Sequence, residues 1–289
     1  MSYEKYDSLL LVKKDHPDPI ALATRLKCTH CAYIDKIKRD TLRTPTLMPI
    51  LGEFSNYWAT AKQFGILYCW YPLRTMFSKG NHFEKQVISK KQANVVVDLC
   101  AGIGYWTFQL YKQGKCIIAC EWNPYSIVGL IVGANMNKFR ITVLHKKNTL
   151  TEDSRNIYGE IERIAELLDI KSKIYWKFNV DTIDNLANYL DQHTIVLCPG
   201  NHHEYKPYFT SINADLVLCG LIPTSKSMWN LAKQCVSTNG ELVIHECATS
   251  EDQLYGLLDK DLTPLSSRKV KNYAPHLFHY VVECAYNPE

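Results

Sequence analysis

From about residue 94 onward the chain alternates short unbroken apolar runs with amphipathic stretches. Asn94–Leu99 (NVVVDL) is a β-branched run closed by a glycine-rich turn, which predicts a strand buried on both faces. Tyr105–Gln113 has helical spacing and stops at Gly114, Cys116–Cys120 is a second strand, and Pro124–Asn137 a helix with proline in its first turn. Further strands are expected at Thr194–Cys198, Asp215–Cys219 and Glu241–Cys247, with a helix at Lys226–Val236. Arg268–Tyr273 and Leu277–Tyr286 read as a final antiparallel pair. Such alternation defines an α/β fold, Rossmann-like, with a mostly parallel sheet covered by helices on both faces.

Two regions interrupt the pattern. Residues 141–193 hold a polar break near Thr151–Asn156, a helix from Ile157 to Leu168 and a short strand at Ile174–Phe178, and are read as mainly an insertion. Residues 1–60 show weak periodicity, with β-like runs only at Leu9–Val12 and Cys31–Ile34. A small N-terminal region is therefore set at 1–62 and the Rossmann-like domain at 63–289, the latter opening on the aromatic stretch Gln63–Trp70 and an amphipathic segment from Asn81 to Ser89.

Composition refines this picture in three respects. The first 92 residues carry 15 Lys and Arg against 8 Asp and Glu, the remainder 18 against 21, so a basic front end joins a slightly acidic body. That asymmetry suits contact with a polyanion near the N-terminal side. No apolar run approaches ~18 residues and the start lacks a signal-peptide core, so a soluble cytoplasmic protein without a membrane span is expected. Eleven scattered cysteines, many inside apolar runs, read as small hydrophobes. The single close pair, Cys28 and Cys31, cannot build a zinc site alone, and no metal is expected.

The strongest chemical signal is Asp98-Leu99-Cys100-Ala101-Gly102-Ile103-Gly104-Tyr105. A strand entering Gly-x-Gly before a helix lets a nucleotide approach the backbone, where a Cβ would collide with the ligand. Glu121 ends the next strand about 20 residues on, placed to accept hydrogen bonds from ribose hydroxyls. NAD fits this much. The leading Asp98, the missing third glycine and the terminal hairpin favour S-adenosylmethionine (AdoMet). Ser78 and Lys85, just upstream, offer a hydroxyl and an ammonium to a carboxylate or phosphate, or else belong to a turn and a surface helix. Gly220–Ser225 follows a strand end and should face the cofactor.

In order along the chain, Leu42–Pro45, Gly65-Ile66, Trp70–Pro72, Thr75–Asn81, Asp98–Tyr105, Glu121–Pro124, Gly220–Ser225 and Val270–Pro275 resemble the tRNA wybutosine-synthesizing protein 2 family, its fungal members most closely. The resemblance implies transfer of the 3-amino-3-carboxypropyl group of S-adenosyl-L-methionine to C7 of 4-demethylwyosine at position 37 of tRNA-Phe, releasing methylthioadenosine. It implies that Ser78, Lys85, Ala101, Gly102, Gly104 and Glu121 hold AdoMet. For the adenine side it offers Gly200-Asn201, with Asp181-Thr182 as rival, and Asn201 is the choice on spacing. No catalytic base is assigned, and a monomer is expected.

Glu-Trp-Asn-Pro and Gly-Leu-Ile-Pro separate the chain from the related tRNA guanine-37 N1-methyltransferases. Those remain the first alternative, and a catalytically inactive tRNA-binding relative the second. Three residues depart from the family pattern: Lys79, Gln86 and Cys247. Lys36, Lys38, Arg39 and Arg43 are candidates for phosphate contact.

Overall fold

The computed structural model describes residues 3–38, 44–78, 82–144, 152–168, 186, 190 and 193–287. The N-terminal part is a four-stranded sheet in the order β1-β2-β3-β4. Strands β1 (Tyr3–Tyr6) and β2 (Leu9–Val12) form an antiparallel hairpin. Helix α1 (Pro19–Arg25) starts where Asp18 accepts from the Ala21 amide and Pro19 opens the first turn. Strand β3 (His30–Ile37) returns parallel to β2, and β4 (Pro45–Leu51) pairs antiparallel with β3. Leu10, Val12, Leu22, Ala23, Cys28 and Cys31 make a small core of their own. Burial raises the thiol pKa of both Cys28 and Cys31, so this pair packs as two small hydrophobes.

A two-stranded hairpin comes next, β5 (Ala59–Gln63) with β6 (Ile66–Trp70), followed by helix α2 (His82–Ser89). The border set at 62/63 falls inside β5, whose sequence ATAKQ carries little strand signal.

The large sheet accounts for the rest. Along the chain come β7 (Val95–Asp98), α3 (Thr107–Lys112), β8 (Cys116–Glu121), α4 (Pro124–Met136), β9 (Ile141–Val143), α5 (Glu152–Leu167) and β10 (Ile195–Pro199). After a 3-10 turn at His202–Tyr205 follow α6 (Lys206–Phe209), β11 (Ala214–Cys219), α7 (Lys226–Cys235) and β12 (Val236–Ala248). Helix α8 (Glu251–Leu257) precedes β13 (Leu262–Ala274) and β14 (Leu277–Tyr286). The strand order is β13-β14-β12-β11-β7-β8-β10-β9. All neighbours from β12 to β9 run parallel, and β14 runs antiparallel to both β12 and β13.

The alternation of side chains splits the core in two. Val96, Ile117, Ile195, Leu218 and Val243 pack with Phe108, Ile127 and Ile131, while Val97, Ile118, Val196, Val217 and Ile244 pack with Phe209, Trp229 and Leu231. Covering both faces explains the unbroken apolar strands.

Two expectations need correction. Residues 152–156, most of the expected polar break, lie within α5, because the polar residues open an amphipathic helix. Of the region read as an insertion, Ile141–Val143 form β9, the edge strand in register with β10. The last strand pair begins at Leu262 rather than Arg268, and the Thr263-Pro264 that hid this start sits on an edge strand, where proline is tolerated. The expected strand at Ile174–Phe178 lies outside the described residues, and so does Asp181. Among the described residues no helix is long and apolar enough to cross a membrane.

Helix α4 fastens the β5–β6 hairpin to this sheet. Asn137 accepts from the Leu67 amide at 2.9 Å and donates to the Leu67 carbonyl at 2.6 Å, as a strand neighbour would. A Cβ added at Gly129 would stand 2.5 Å from the Cys69 carbonyl oxygen. Replacing Gly129 with alanine improves helix propensity by about 1 kcal/mol. Overpacking against a backbone oxygen costs about 1–3 kcal/mol. The overlap is deep, so Gly129→Ala should lower the midpoint of urea unfolding; an unchanged or raised midpoint would show that the contact gives way freely.

Candidate cofactor-binding site

Strand β7 delivers Asp98 to the carboxyl edge of the sheet, but the side chain turns inward. It is fully buried, accepts from Thr107 Oγ1 at 2.8 Å and from the Cys100 amide at 3.3 Å, and burial pushes its pKa up to about 7. Asp98 therefore braces the turn against α3. Within that turn Ala101 is buried and donates its amide to the Cys120 carbonyl at 2.9 Å. Gly102 and Gly104 take φ of +58° and +90°. A Cβ at Gly104 would come within 2.8 Å of the Phe108 ring. The glycine is thus required by the protein's own packing, a different reason from the ligand clearance that the sequence suggested.

Glu121, the last residue of β8, closes the cradle from the other side. Its Oε2 accepts from the Gly102 amide at 2.7 Å, and its Oε1 from the amides of Trp122 at 3.0 Å and Asn123 at 2.8 Å. Burial raises its pKa, and the three amide donors pull the other way. Asn123 then caps α4 by accepting from the Tyr125 amide at 3.0 Å, with Pro124 in the first turn. Each residue of the Glu-Trp-Asn-Pro run except the exposed Trp122 side chain has a defined structural task.

Strand β10 runs beside β8 with Pro199 opposite Glu121, and the Gly200 amide donates to the Glu121 carbonyl at 2.8 Å. Gly200 has φ of +114°. Asn201 follows and accepts from the His203 amide at 3.0 Å. The parallel register thus brings Gly200 next to Glu121, with Asn201 following it.

The second half of the site is built around Lys85. Its side chain is 1% exposed, and its ammonium donates to Gln63 Oε1 at 2.5 Å and to the Ser78 carbonyl at 3.3 Å. Three rings surround it, with centroids at 4.7 Å (Tyr105), 5.4 Å (Tyr68) and 5.5 Å (Phe77). No carboxylate is among these partners, and burial pushes the Lys85 pKa down to about 8. Ser78 enters through its backbone: its amide donates to the Tyr105 hydroxyl at 2.9 Å, and that hydroxyl donates to the Met76 carbonyl at 2.6 Å. Tyr105 also reaches the glycine turn, because a Cβ at Gly102 would lie 3.1 Å from its ring. One side chain links the two halves.

The loop after β11 lies against β12. Thr224 Oγ1 and the Ser225 amide donate to Glu246 at 2.8 and 3.2 Å, and the Cys247 amide donates to the Pro223 carbonyl at 2.8 Å. Close by, His245 and His279 share a 2.9 Å hydrogen bond between Nδ1 and Nε2, and Trp106 packs on His245 with ring centroids 4.8 Å apart. Burial lowers both imidazole pKa values, that of His279 to about 4. Sequence reading missed Gln63, Tyr68, Tyr105 and this pair as site residues; for Tyr68 and the two histidines a polar group inside an otherwise apolar strand was the available signal. Lys79, Arg39 and Arg43 lie outside the described residues, and Lys38 is exposed.

A glycine turn, an acid ringed by amides and a buried cation suit a nucleoside bearing an anionic tail. A family model, the TRM5/TYW2 methyltransferase domain, matches residues 59–174, starting at the first residue of β5. The chain is 26% identical to tRNA wybutosine-synthesizing protein 2 of Schizosaccharomyces pombe, over 84% of this chain and 57% of that protein. It thus spans just over half the length of that relative, and 34% of the matched homolog from Bos taurus. Among solved structures, M. jannaschii TYW2 in complex with AdoMet aligns with a TM-score of 0.62 and 18% identity, covering all of both chains. A complex of aTrm5 with tRNALeu aligns at 0.70 and 18%, over 99% of this chain and 72% of that one. At such identities the likeness establishes the fold, that of the Trm5 and TYW2 transferases.

Removing the Tyr105 hydroxyl tests how the halves are joined. In Tyr105→Phe the Ser78 amide loses its acceptor, which costs about 1–2 kcal/mol. Hydrogen exchange at Ser78 should quicken roughly tenfold with global stability nearly kept; unchanged protection would mean that the bond carries no weight.

Proposed function

We propose that the chain transfers the 3-amino-3-carboxypropyl group of AdoMet to C7 of 4-demethylwyosine at position 37 of tRNA-Phe. The observation that carries this reading is the Lys85 ammonium, buried among aromatic rings with no carboxylate beside it among the described residues, next to a nucleoside cradle. The methionine carboxylate supplies the missing anion, Glu121 takes the ribose hydroxyls, and Gly200-Asn201 flanks the adenine. The names of the curated relatives and the AdoMet bound to M. jannaschii TYW2 support the same assignment.

Holding the tail by its carboxylate fixes which carbon next to the sulfonium faces the base. The C7 electron pair forms a bond to the side-chain carbon, the carbon–sulfur pair departs with sulfur, and neutral methylthioadenosine leaves. C7 then releases its proton. Because the leaving group is a neutral thioether, the task is chiefly one of positioning, with the reacting atoms within about 3–3.5 Å. The basic N-terminal part is the natural place for tRNA phosphates, and binding through it weakens as salt rises.

The direct test is incubation with labelled AdoMet and hypomodified tRNA-Phe, followed by nucleoside mass analysis. Methylthioadenosine and a base enlarged by one aminocarboxypropyl group are expected. S-adenosylhomocysteine and a methylated guanine would establish the methyltransferase reading instead. Lys85→Met should weaken AdoMet by about 10–100-fold, the worth of a charge-assisted hydrogen bond of ~1.5–3 kcal/mol. Methylthioadenosine, which lacks the carboxylate, should bind the variant as before.

Acidity supplies a second check. In the free protein Lys85 loses its proton near pH 8, below the ordinary lysine value. Above that pH, binding the carboxylate must first restore the ammonium. AdoMet affinity should therefore fall as pH rises past about 8, by up to tenfold per unit, and Lys85→Met should lose this component of the slope. The same depression acts on stability with the opposite sense. Between about pH 8 and the ordinary lysine value the unfolded chain holds more protons, so the Lys85 contribution favours the folded free protein increasingly as pH rises. An affinity slope identical in parent and variant would refute the assignment.

A further inference from the structure

We infer that Arg268, on the C-terminal hairpin, is a positioning residue for the tail of AdoMet, acting through helix α2. The inference rests on the reading that Lys85 holds the carboxylate. Lys85 and Glu84 are consecutive on α2, so their side chains leave the helix about 100° apart. Lys85 enters the aromatic pocket. Glu84, also 1% exposed, meets the guanidinium of Arg268 on β13, with Nε to Oε1 at 3.2 Å and Nη2 to Oε2 at 3.1 Å. This fork-to-fork pairing fixes direction as well as distance. The remaining nitrogen of Arg268, Nη1, donates to Glu283 Oε1 on β14 at 2.7 Å.

The chain of charges then returns to the other end of the same helix. Glu283 Oε2 accepts from Lys91 at 2.7 Å, and Lys91 also bonds Glu241 on β12. Lys91 directly extends α2, its amide donating to the Ile88 carbonyl at 3.1 Å. The helix is thus clamped near its first turn and just beyond its last, both times to the C-terminal strands. An eight-residue helix has little stability of its own and takes its place from such contacts. Any slide or roll of α2 carries the Lys85 ammonium with it. A displacement on the order of 1 Å at a reacting group can cost about 100-fold.

The test measures affinity for AdoMet and for methylthioadenosine in the 289-residue chain, and takes the ratio as tail preference. Arg268→Gln removes the charge and one arm of the fork, and Arg268→Lys keeps the charge without the fork. Glu84→Gln/Arg268→Gln leaves no lone buried charge, so it reports even if the single variant fails to fold. In each, tail preference should fall roughly tenfold, the loss of one well-placed charge-assisted bond, while methylthioadenosine affinity stays within about threefold. With tRNA present, the share of S-adenosylhomocysteine among products should rise. A general loss of structure would weaken both ligands together, and that outcome, like an unchanged preference, overturns the inference. Lys85→Met is the reference: if it leaves tail preference intact in the parent chain, the Lys85 reading itself fails, whatever the Arg268 variants do.

Discussion

A lysine ammonium withdrawn from water, with no counter-carboxylate among the described residues, is the constraint on which the rest of the site depends. An isolated buried charge is costly, and it persists only where polar atoms and π faces replace part of its hydration. Here the replacements come from four separate places: Gln63 from β5, Tyr68 from β6, Phe77 and Ser78 from the segment before α2, and Tyr105 from the glycine turn. The β5–β6 hairpin is therefore part of the Lys85 pocket, and α4 must hold it close to the large sheet. Asn137 and the glycine face of α4 do that.

Opposite polarity sits at the other pole. Glu121 keeps its carboxylate under three backbone amides, which order the turn and leave lone pairs for hydroxyl donors. One pole wants donors and the other wants an anion, and Tyr105 spans the interval between them. A nucleoside with an amino-acid tail has this sequence of groups. A dinucleotide would instead place its pyrophosphate on the glycine turn, and a cation 20 or so residues upstream would have no set task.

How much of this was legible depends on how local the cause is. Strands β7, β8, β10, β11 and β12 could be read because burial on both faces makes them continuous apolar runs. Glu121 and the glycines could be read because a strand–turn–helix link fixes them within about 20 residues. Asn201 was chosen on spacing after a strand, and that strand ends at Pro199 opposite Glu121, two residues before it. By contrast β1 and β5 are polar enough to pass for loop, and the polar start of α5 looked like a break. Lys85 was visible as a cation, yet its burial was not, since Gln63 and Tyr68 lie far from it in sequence. The pairing of Arg268 with Glu84 joins residues 184 apart, and no local pattern encodes it.

If Lys85 holds the carboxylate as proposed, the burial that makes it unfavourable in the free protein is also what gives it discriminating power. Two unit charges 4 Å apart attract by about 1 kcal/mol in bulk water and about 4 kcal/mol at an effective dielectric near 20. A surface lysine would therefore tell AdoMet from methylthioadenosine by less than tenfold. Inside the aromatic pocket the same ammonium has lost most of its water already, so the incoming carboxylate meets a partner whose desolvation was completed on folding. What remains is to keep the ammonium from drifting, because a flexible side chain on a short helix would spread that attraction over several tail positions. The ion chain from Glu84 to Lys91 answers that need by tying both ends of α2 to the C-terminal strands. On the proposed reading, choice of the transferred carbon is then a property of the whole sheet edge, from β5 to β14.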